Sequence, residues 1–133
     1  MRIIVAGGRD FSNYEFLAQR CADMIKHIYE RPDKFNWVFH KDIEFVLGGA
    51  KGADSLGLRF AKENKFAYKV IEADWDIYGK SAGYIRNEQM ANYATEDSRL
   101  GILLAFWDGE SKGTKHMIDL ANKYNMIVWI VKY

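Results

Sequence analysis

The sequence predicts a doubly wound three-layer α/β sandwich with a five-stranded, mainly parallel sheet. Short apolar segments alternate with segments of helical periodicity along a chain of 133 residues, and several apolar segments lack polar–apolar alternation. Strands that are covered by helices on both faces are continuously apolar in this way. Strands alternating with helices form right-handed βαβ units in nearly all known cases. The length is close to that of one domain, so we expect residues 1–133 to form a single domain.

Five segments rich in Ile, Val, Leu, Phe and Tyr are the predicted strands. They are Arg2–Ala6, Glu44–Leu47, Ala67–Glu72, Leu100–Phe106 and Met126–Lys132. We expect them to lie in the order 3-2-1-4-5, with the first and fourth strands adjacent. The strand order then reverses between these two strands, and open α/β sheets bind ligands outside the carboxyl ends of the strands at such a point.

Four segments between the predicted strands have helical periodicity. The clearest is the first, whose apolar stripe comprises Leu17, Cys21, Met24, Ile25 and Ile28. Ser12 and Glu15 form a candidate capping box at its start. The other three segments have weaker patterns and cover Ala53–Asn64, Ser81–Tyr93 and Thr114–Tyr124. The pattern of the third segment depends on Tyr84, Ile85 and Met90.

The composition narrows the class of protein and of partner. Hydrophobic residues make up 49% and charged residues 28% of a chain with one proline, which excludes a disordered or collagen-like protein. The net charge of +1 argues against an extended nucleic-acid footprint, which needs clustered cations. The chain has one cysteine, Cys21, and three histidines without metal-ligand spacing. We therefore expect neither a metal site nor a cofactor.

The N-terminal segment Met1–Ala6 runs directly into glycines, without the charged region and longer apolar stretch of a signal peptide. No segment approaches the ~20 apolar residues of a membrane span. A single cysteine is compatible with a reducing compartment. We therefore expect a cytoplasmic protein that has no membrane partner.

The segment Arg31–Asp42 is longer than the ~2 to 6 residues of an ordinary connection between a helix and a strand. Its distinctive residues are Pro32, Phe35, Trp37, Phe39 and His40. The aromatic residues would cover a sheet edge, extend the first helical layer or form a subunit contact, and the sequence does not choose among these. The third interpretation leads us to expect a homodimer.

Three glycine-containing segments follow predicted strands. They are Gly7-Gly8-Arg9-Asp10, Gly48-Gly49-Ala50-Lys51-Gly52 and Asp108-Gly109-Glu110-Ser111-Lys112-Gly113-Thr114. Carboxyl ends of parallel strands meet at one sheet edge, so we expect all three loops at the ligand-binding edge. Glycine lets the backbone approach a ligand closely, and a helix that begins after such a loop offers unpaired N–H groups to phosphate.

Cations accompany these loops. Arg9, Lys51, Lys80, Arg86, Lys112 and Lys115 lie in or beside the segments expected at the ligand-binding edge. The alternative is that the glycines make tight turns and the lysines are solvated. The spacings match neither a P-loop nor the dinucleotide fingerprint, which disfavours a kinase-type or NAD-dehydrogenase function.

Individual polar and aromatic residues of these segments have both a structural and a functional interpretation. Asp10, Asp54 and Asp74 would either contact a ligand or cap loops and helices. Trp75, Tyr78 and Trp107 would either stack on a base or pack as parts of a lid. The residues alone leave both interpretations open.

Four ordered motifs resemble the YspA-type branch of the SLOG superfamily and together span nearly the whole chain. The first is Ala6-Gly7-Gly8-Arg9-Asp10-Phe11, and the second is Gly48-Gly49-Ala50-Lys51-Gly52-Ala53-Asp54. The third combines Asp74-Trp75, Tyr78-Gly79-Lys80-Ser81-Ala82-Gly83 and Arg86-Asn87-Glu88-Gln89-Met90. The fourth combines Ala105-Phe106-Trp107-Asp108-Gly109 and Ser111-Lys112-Gly113-Thr114. The resemblance implies a Rossmann-like sheet that binds nucleotides or nucleotide-derived ligands.

Many small branches of this superfamily, especially those encoded by phages and mobile elements, are thought to sense or process nucleotide ligands. The resemblance therefore implies a sensor or sequestering protein for a ligand with at least one phosphate. Backbone N–H groups of the three loops are expected to hold the phosphate, with Arg9 and Arg86 as charged partners. The full set of expected ligand-binding residues is Gly7, Gly8, Arg9, Asp10, Gly48, Gly49, Ala50, Lys51, Gly52, Asp54, Asp74, Trp75, Arg86, Asn87, Trp107, Asp108, Gly109, Gly113 and Thr114.

The superfamily also includes the DNA-processing protein DprA and the LOG phosphoribohydrolases, which release the base from a nucleoside 5'-monophosphate. Arg86 resembles the catalytic arginine of LOG enzymes, unless it only pairs with a helix carboxylate, but their acidic residue would fall at Met117. A thioether neither stabilises a cationic sugar nor activates water. Asp10, Asp54, Asp74, Asp108 or Glu88 would replace this acidic residue only if folding brings one of them near. An enzyme would therefore use Arg86 with a carboxylate near the Asp108 loop. The methionine favours a binding protein that performs no chemistry.

Overall fold

The computed structural model describes residues 1–31 and 40–133 of the chain. Five strands form one sheet in the order β3-β2-β1-β4-β5, and every neighbouring pair is parallel. This confirms the predicted fold class and strand order. The strands are β1 Arg2–Gly7, β2 Glu44–Leu47, β3 Ala67–Val70, β4 Gly101–Trp107 and β5 Ile127–Lys132.

Within residues 1–31 and 40–133, five α-helices accompany the sheet. They are α1 Tyr14–Tyr29, α2 Ala53–Glu63, α3 Trp75–Tyr78, α4 Ala82–Thr95 and α5 Lys112–Lys123. Single 3-10 turns lie at His40–Asp42, Gly79–Ser81 and Glu96–Ser98. Among the described helices, none is both long enough and apolar enough to cross a membrane.

The two faces of the sheet bury separate apolar cores. Along β1, Ile3 and Val5 join the core formed with α1 and α2, while Ile4 and Ala6 join the core formed with α4 and α5. Successive side chains of a strand point to opposite faces, so the continuous apolar run supplies both cores. Each fully buried aliphatic side chain stabilises the fold by about 1.5–3 kcal/mol relative to an exposed one.

The apolar stripe predicted for α1 is confirmed, but the predicted capping box is wrong. The N-cap residue is Asn13, whose Oδ1 accepts a hydrogen bond from the Phe16 backbone N–H at 3.1 Å. Ser12 lies one residue earlier, in a turn where its carbonyl accepts from the Tyr14 N–H. Both residue types cap helices well, so composition alone did not decide between adjacent candidates.

The periodicity predicted for α4 is wrong in part. Met90 is buried, but Tyr84 is 47% exposed and Ile85 is only half-buried. The buried positions of this helix are Ala82, Asn87, Met90, Ala91 and Ala94. Small side chains let α4 pack closely against the sheet and against α5, so the buried face has little apolar bulk for a pattern search to detect.

The aromatic segment predicted to cover an edge, extend a layer or form a subunit contact lies mostly outside the described residues, which omit 32–39. At its described end, the His40 ring stacks on Phe66 with 3.8 Å between ring centroids. Phe66 directly precedes β3, the edge strand. This part of the segment therefore contacts the β3 edge of the sheet.

Candidate functional site

A cavity of about 530 Å³ opens at the carboxyl ends of β1 and β4, where the strand order reverses. We call it the main cavity. The predicted site residues that line it are Gly7, Gly8, Arg9, Asp10, Ala50, Asp54, Trp75, Arg86, Asn87, Asp108, Gly113 and Thr114. The fold therefore brings residues from all four motifs to one place at the predicted edge.

A second hollow of about 500 Å³, which we call the side hollow, adjoins the main cavity. Its lining residues are Arg9, Gly48, Gly49, Ala50, Lys51, Glu72, Ala73, Trp75 and Arg86. Arg9, Ala50, Trp75 and Arg86 line both spaces. Of the predicted site residues, Gly52, Asp74, Trp107 and Gly109 line neither of these two spaces.

The loops after β1 and β2 approach each other closely at Gly52. A Cβ on Gly52 would collide with the Gly8 carbonyl oxygen, and the φ of +79° also favours glycine. The Gly8 carbonyl accepts the Ala53 N–H at 3.2 Å, and the Gly8 N–H donates to the Phe106 carbonyl at 3.2 Å. The Gly8 N–H, expected to hold phosphate, therefore donates within the protein in this conformation.

Asp54 is a buried carboxyl group in the first turn of α2, only 6% exposed. Its Oδ2 and the Nη1 of Arg86 both lie 2.7 Å from the position that a Cβ on Gly48 would occupy. Burial raises the pKa of Asp54 to about 6, against the opposing effects of the Arg86 guanidinium and of hydrogen bonds from the Ala50 and Gly48 backbone. The loop after β2 therefore wraps around a carboxyl group of the chain itself.

Arg86 projects from α4 between the two spaces. Its Nη1 donates to the Gly48 carbonyl, and its Nε donates to Asn87 Oδ1 at 3.1 Å. Burial lowers the pKa of Arg86, while the Asp54 carboxylate favours its charged form. The carboxylate near Arg86 thus belongs to α2, and the same guanidinium also lines both spaces.

Asn87 joins α4 to α5. Its buried side chain lies with Nδ2 at 3.2 Å from His116 Nδ1 and at 3.4 Å from the Gly113 carbonyl oxygen. Burial lowers the pKa of His116, and Tyr84 meets its ring edge-on with 4.5 Å between centroids. These contacts fix the start of α5 relative to Arg86.

The first turn of α5 opens into the main cavity. Asp108 Oδ1 accepts the backbone N–H groups of Glu110 and Ser111 at 2.8 Å, and Ser111 Oγ accepts the Thr114 N–H at 3.4 Å. Hydrogen bonds from the Ser111 and Glu110 backbone lower the pKa of Asp108. Apart from its chain neighbours and the backbone of α5, no atom of the described residues lies within 4 Å of the Cβ position of Gly113, so the cavity reaches the backbone there. Such an end of a helix favours anions.

Two of the predicted residues outside both spaces form hydrogen bonds within the protein, and a third has a backbone conformation that favours glycine. Asp74 caps α3, a four-residue helix that the sequence analysis did not predict, by accepting the Ile77 N–H at 3.2 Å. Trp107 donates its Nε1–H to the Ser111 carbonyl at 3.1 Å. Gly109 has a φ of +89° in the same loop. A ligand contact of these three residues stays a prediction.

Seven residues that line the main cavity were not among the expected ligand-binding residues, although Lys80 and Ser111 belong to segments that were expected at this edge. They are Ala6, Lys80, Gly83, Tyr84, Met90, Ser111 and Met117. Met117 is 1% exposed, and it belongs to the core beneath α4 and α5. Ser111 could have been found from the sequence, because a serine before a helical segment is a common N-cap. Tyr84 could not, because its helical pattern was interpreted as a buried face.

The charge of the main cavity is mixed. Arg9 and Lys80 line it together with Asp10, whose Oδ1 accepts the hydroxyl proton of Tyr133 at 2.9 Å. Burial and this hydrogen bond raise the pKa of Tyr133 to about 12. Within residues 1–31 and 40–133, no group of three or more His, Cys, Asp and Glu residues is arranged to hold a metal ion.

Comparison of the sequence with protein families finds a match to the model of the YspA, cpYpsA-related SLOG family over residues 1–78. The match includes the loops after β1 and β2 and ends before Arg86 and α5. Gene 61 protein of Mycobacterium phage D29 is 36% identical over 83 residues, which are 59% of this chain and 62% of the phage protein. The alignment thus covers less than two thirds of that relative's length.

Comparison with solved structures finds DNA processing protein A, DprA, from Streptococcus pneumoniae. The two structures superpose with a TM-score of 0.66 over 99% of this chain and 50% of that chain, at 15% sequence identity. At this identity the likeness concerns the Rossmann-like fold.

Proposed function

Because the chain belongs to the YspA, cpYpsA-related SLOG family, we propose that it binds a nucleotide or nucleotide-derived phosphate ligand in the main cavity and acts as a sensor or sequestering protein. One observation carries the proposal. The Arg86 guanidinium and the open first turn of α5 line the same cavity, where the strand order reverses. Open α/β sheets bind phosphate ligands at this type of location.

The cavity walls offer each part of a nucleotide a suitable partner. The first turn of α5 and the guanidinium of Arg86 suit the phosphate, since both favour negative charge. The exposed rings of Trp75 and Tyr84 suit stacking on a base. The cavity volume lies within the ~300–1,000 Å³ range of small-molecule sites.

Replacing Gly113 by valine is expected to weaken nucleotide binding at least about tenfold, because the new side chain occupies the open space over α5 and keeps a phosphate from its N–H groups. The measurement is isothermal titration calorimetry with nucleoside mono-, di- and triphosphates, NAD derivatives and ADP-ribose. A single-stranded oligonucleotide belongs in the same panel.

The matched control is Ala22→Val, which adds a valine at an exposed position of α1 away from the cavity. The control should bind like the wild type, and both variants should fold, which circular dichroism checks. The proposal fails if the wild type binds no member of the panel, or if Gly113→Val binds as tightly as Ala22→Val.

A second candidate function, a LOG-like hydrolase, is favoured by the position of Asp54. This carboxyl group lies beside Arg86 and lines the main cavity, with its pKa raised to about 6. Asp108, the carboxylate expected from the sequence, is exposed, and hydrogen bonds from the Ser111 and Glu110 backbone lower its pKa. Asp54 is therefore the better candidate for acid–base work near neutral pH.

We expect incubation with AMP, GMP, CMP and UMP to release little free base, because the acidic residue of LOG enzymes is replaced by Met117. Chromatographic quantification of the base measures this. Rapid release by the wild type that Arg86→Ala and Asp54→Asn both abolish would instead support the hydrolase.

The other expectations about partners remain proposals. The family branches encoded by phages and the phage relative favour an origin in a phage or mobile element. A homodimer and a cytoplasmic location stay predictions. The name of the solved neighbour refers to DNA, but the net charge of +1 favours a small ligand over an extended nucleic-acid footprint.

A further inference from the structure

We propose that the main cavity and the side hollow together hold one two-part ligand, a nucleotide joined through a pyrophosphate to a second, hydroxyl-rich group. This inference rests on the proposed function and specifies the ligand class. The nucleotide lies in the main cavity, the pyrophosphate lies between Arg9 and Arg86, and the second group lies in the side hollow.

The main cavity and the side hollow lie next to each other. Arg9, Ala50, Trp75 and Arg86 line both of them, so the main cavity and the side hollow adjoin along these four residues. The volumes are about 530 and 500 Å³, and each lies well within the ~300–1,000 Å³ of a small-molecule site. A mononucleotide would leave the second space to water.

Two positive side chains lie where the main cavity and the side hollow adjoin. Arg9 and Arg86 are both cations, and the pKa of Arg86 is lowered in part by Arg9. Two guanidinium groups that repel each other are stabilised by an anion between them, and the planar donor forks of arginine match phosphate oxygens. Asp54 supplies one buried negative charge nearby. A pyrophosphate would supply further negative charge on the open side.

Beyond these two arginines, the side hollow contains both hydrogen-bonding and aromatic side chains. Lys51 and Glu72 offer a donor and an acceptor within one hollow, next to the exposed ring of Trp75. A sugar presents hydroxyl groups that both donate and accept hydrogen bonds, together with C–H faces that pack on aromatic rings. A second phosphate group is less suitable because Glu72 would repel it.

The test compares matched pairs of ligands by calorimetry, so that the unknown base is not a variable. The pairs are AMP with ADP-ribose, GMP with GDP-mannose and UMP with UDP-glucose. For the base that binds, we expect the pyrophosphate-linked sugar to bind at least about tenfold more tightly than the monophosphate. The corresponding diphosphate separates the contribution of the extra phosphate from that of the sugar.

Two variants locate the effect. Glu72→Gln, at an exposed position, should weaken binding of the sugar nucleotide about three- to tenfold and leave the monophosphate within about twofold. Lys51→Ala, also at an exposed position, should weaken binding of the sugar nucleotide more than binding of the monophosphate. Lys123→Ala, which removes the same charge at the far end of α5, is the matched control and should change neither affinity.

The outcomes separate this inference from the proposed function. Equal affinity for monophosphate and sugar nucleotide, or equal loss of both in the side-hollow variants, contradicts the two-part ligand while nucleotide binding stands. A diphosphate that binds as tightly as its sugar nucleotide also contradicts it. Absence of binding for every ligand contradicts both proposals.

Discussion

Replacing Arg86 with alanine is expected to weaken binding of the phosphate ligand about 10- to 100-fold, because hydrogen bonds to charged groups contribute about 1.5–3 kcal/mol each. The guanidinium lines both spaces and lies beside Asp54. Its removal also leaves the Asp54 carboxyl group without its main positive neighbour, which raises the pKa of that carboxyl group further. Calorimetry with the tightest ligand of the panel measures the loss.

Two further variants test whether the loss of affinity is specific to the guanidinium group of Arg86. Arg59→Ala removes an exposed arginine that pairs with Glu63 on α2, and it should retain wild-type affinity. Arg86→Lys retains a positive charge but not the planar fork, and we expect intermediate affinity. Wild-type affinity in Arg86→Ala would show that the ligand lies elsewhere.

The second large effect concerns pH and Asp54. Folding raises the pKa of this group from its ordinary value of 3.8 to about 6. The folded state therefore binds the proton more tightly than the unfolded state, so the contribution to stability is complete below pH 3.8 and is lost as the pH rises through about 6. The free energy of unfolding should decrease by about 2–3 kcal/mol over this window on account of Asp54 alone.

Carboxyl groups whose pKa is lowered by folding stabilise the protein as the pH rises, which is the opposite pH dependence. The prediction therefore concerns the difference in free energy of unfolding between a variant and the wild type. The free energy of unfolding of Asp54→Asn minus that of the wild type should rise between pH 4 and pH 7, measured by urea denaturation at each pH. In the control Asp108→Asn the same difference should be flat above pH 5, because the pKa of Asp108 is lowered below 3.8. A flat difference for Asp54→Asn would contradict the assignment.

The fold was predictable because its signals are local and redundant. Strands β1, β2 and β4 each contain a continuous run of buried apolar residues, and the α1 stripe contains enough large apolar residues to show a period of 3.6. The pattern predicted for α4 was wrong in part because this helix buries few large apolar residues. Its buried face is mainly alanine with Asn87 and Met90, while the large Tyr84 side chain faces the cavity.

The edge that holds the site was predictable from topology, but the role of each polar group was not. Asp54 and Asp74 were equivalent in the sequence, because each would either contact a ligand or cap a loop or helix. In the structure Asp74 caps α3 at an exposed position, whereas Asp54 is buried beside Arg86 because Gly48 has no side chain to separate them. Arg86 lies 32 residues beyond Asp54 along the chain, so their proximity depends on how α2 and α4 pack on opposite faces of the sheet.

The roles of the backbone N–H groups were likewise not predictable from the sequence. The loops after β1 and β2 contain glycines and were expected to hold phosphate with their N–H groups. The Gly8 N–H instead donates to Phe106, and the backbone of Gly48 and Ala50 hydrogen-bonds to Asp54. The start of α5, at Gly113, is more open than the loops after β1 and β2, and this difference is visible only in the folded structure.

The measurement that tests the central claim most directly is a titration of the ¹⁵N-labelled protein with the tightest ligand, followed by amide and guanidinium NMR signals. The claim is that a phosphate ligand lies in the main cavity between Arg86 and the first turn of α5. It predicts the largest shifts at the amides of Gly113 and Thr114 and at the Nε of Arg86, with the buried Gly57 and Gly101 unaffected. Saturable shifts that leave Gly113, Thr114 and Arg86 unchanged would contradict it.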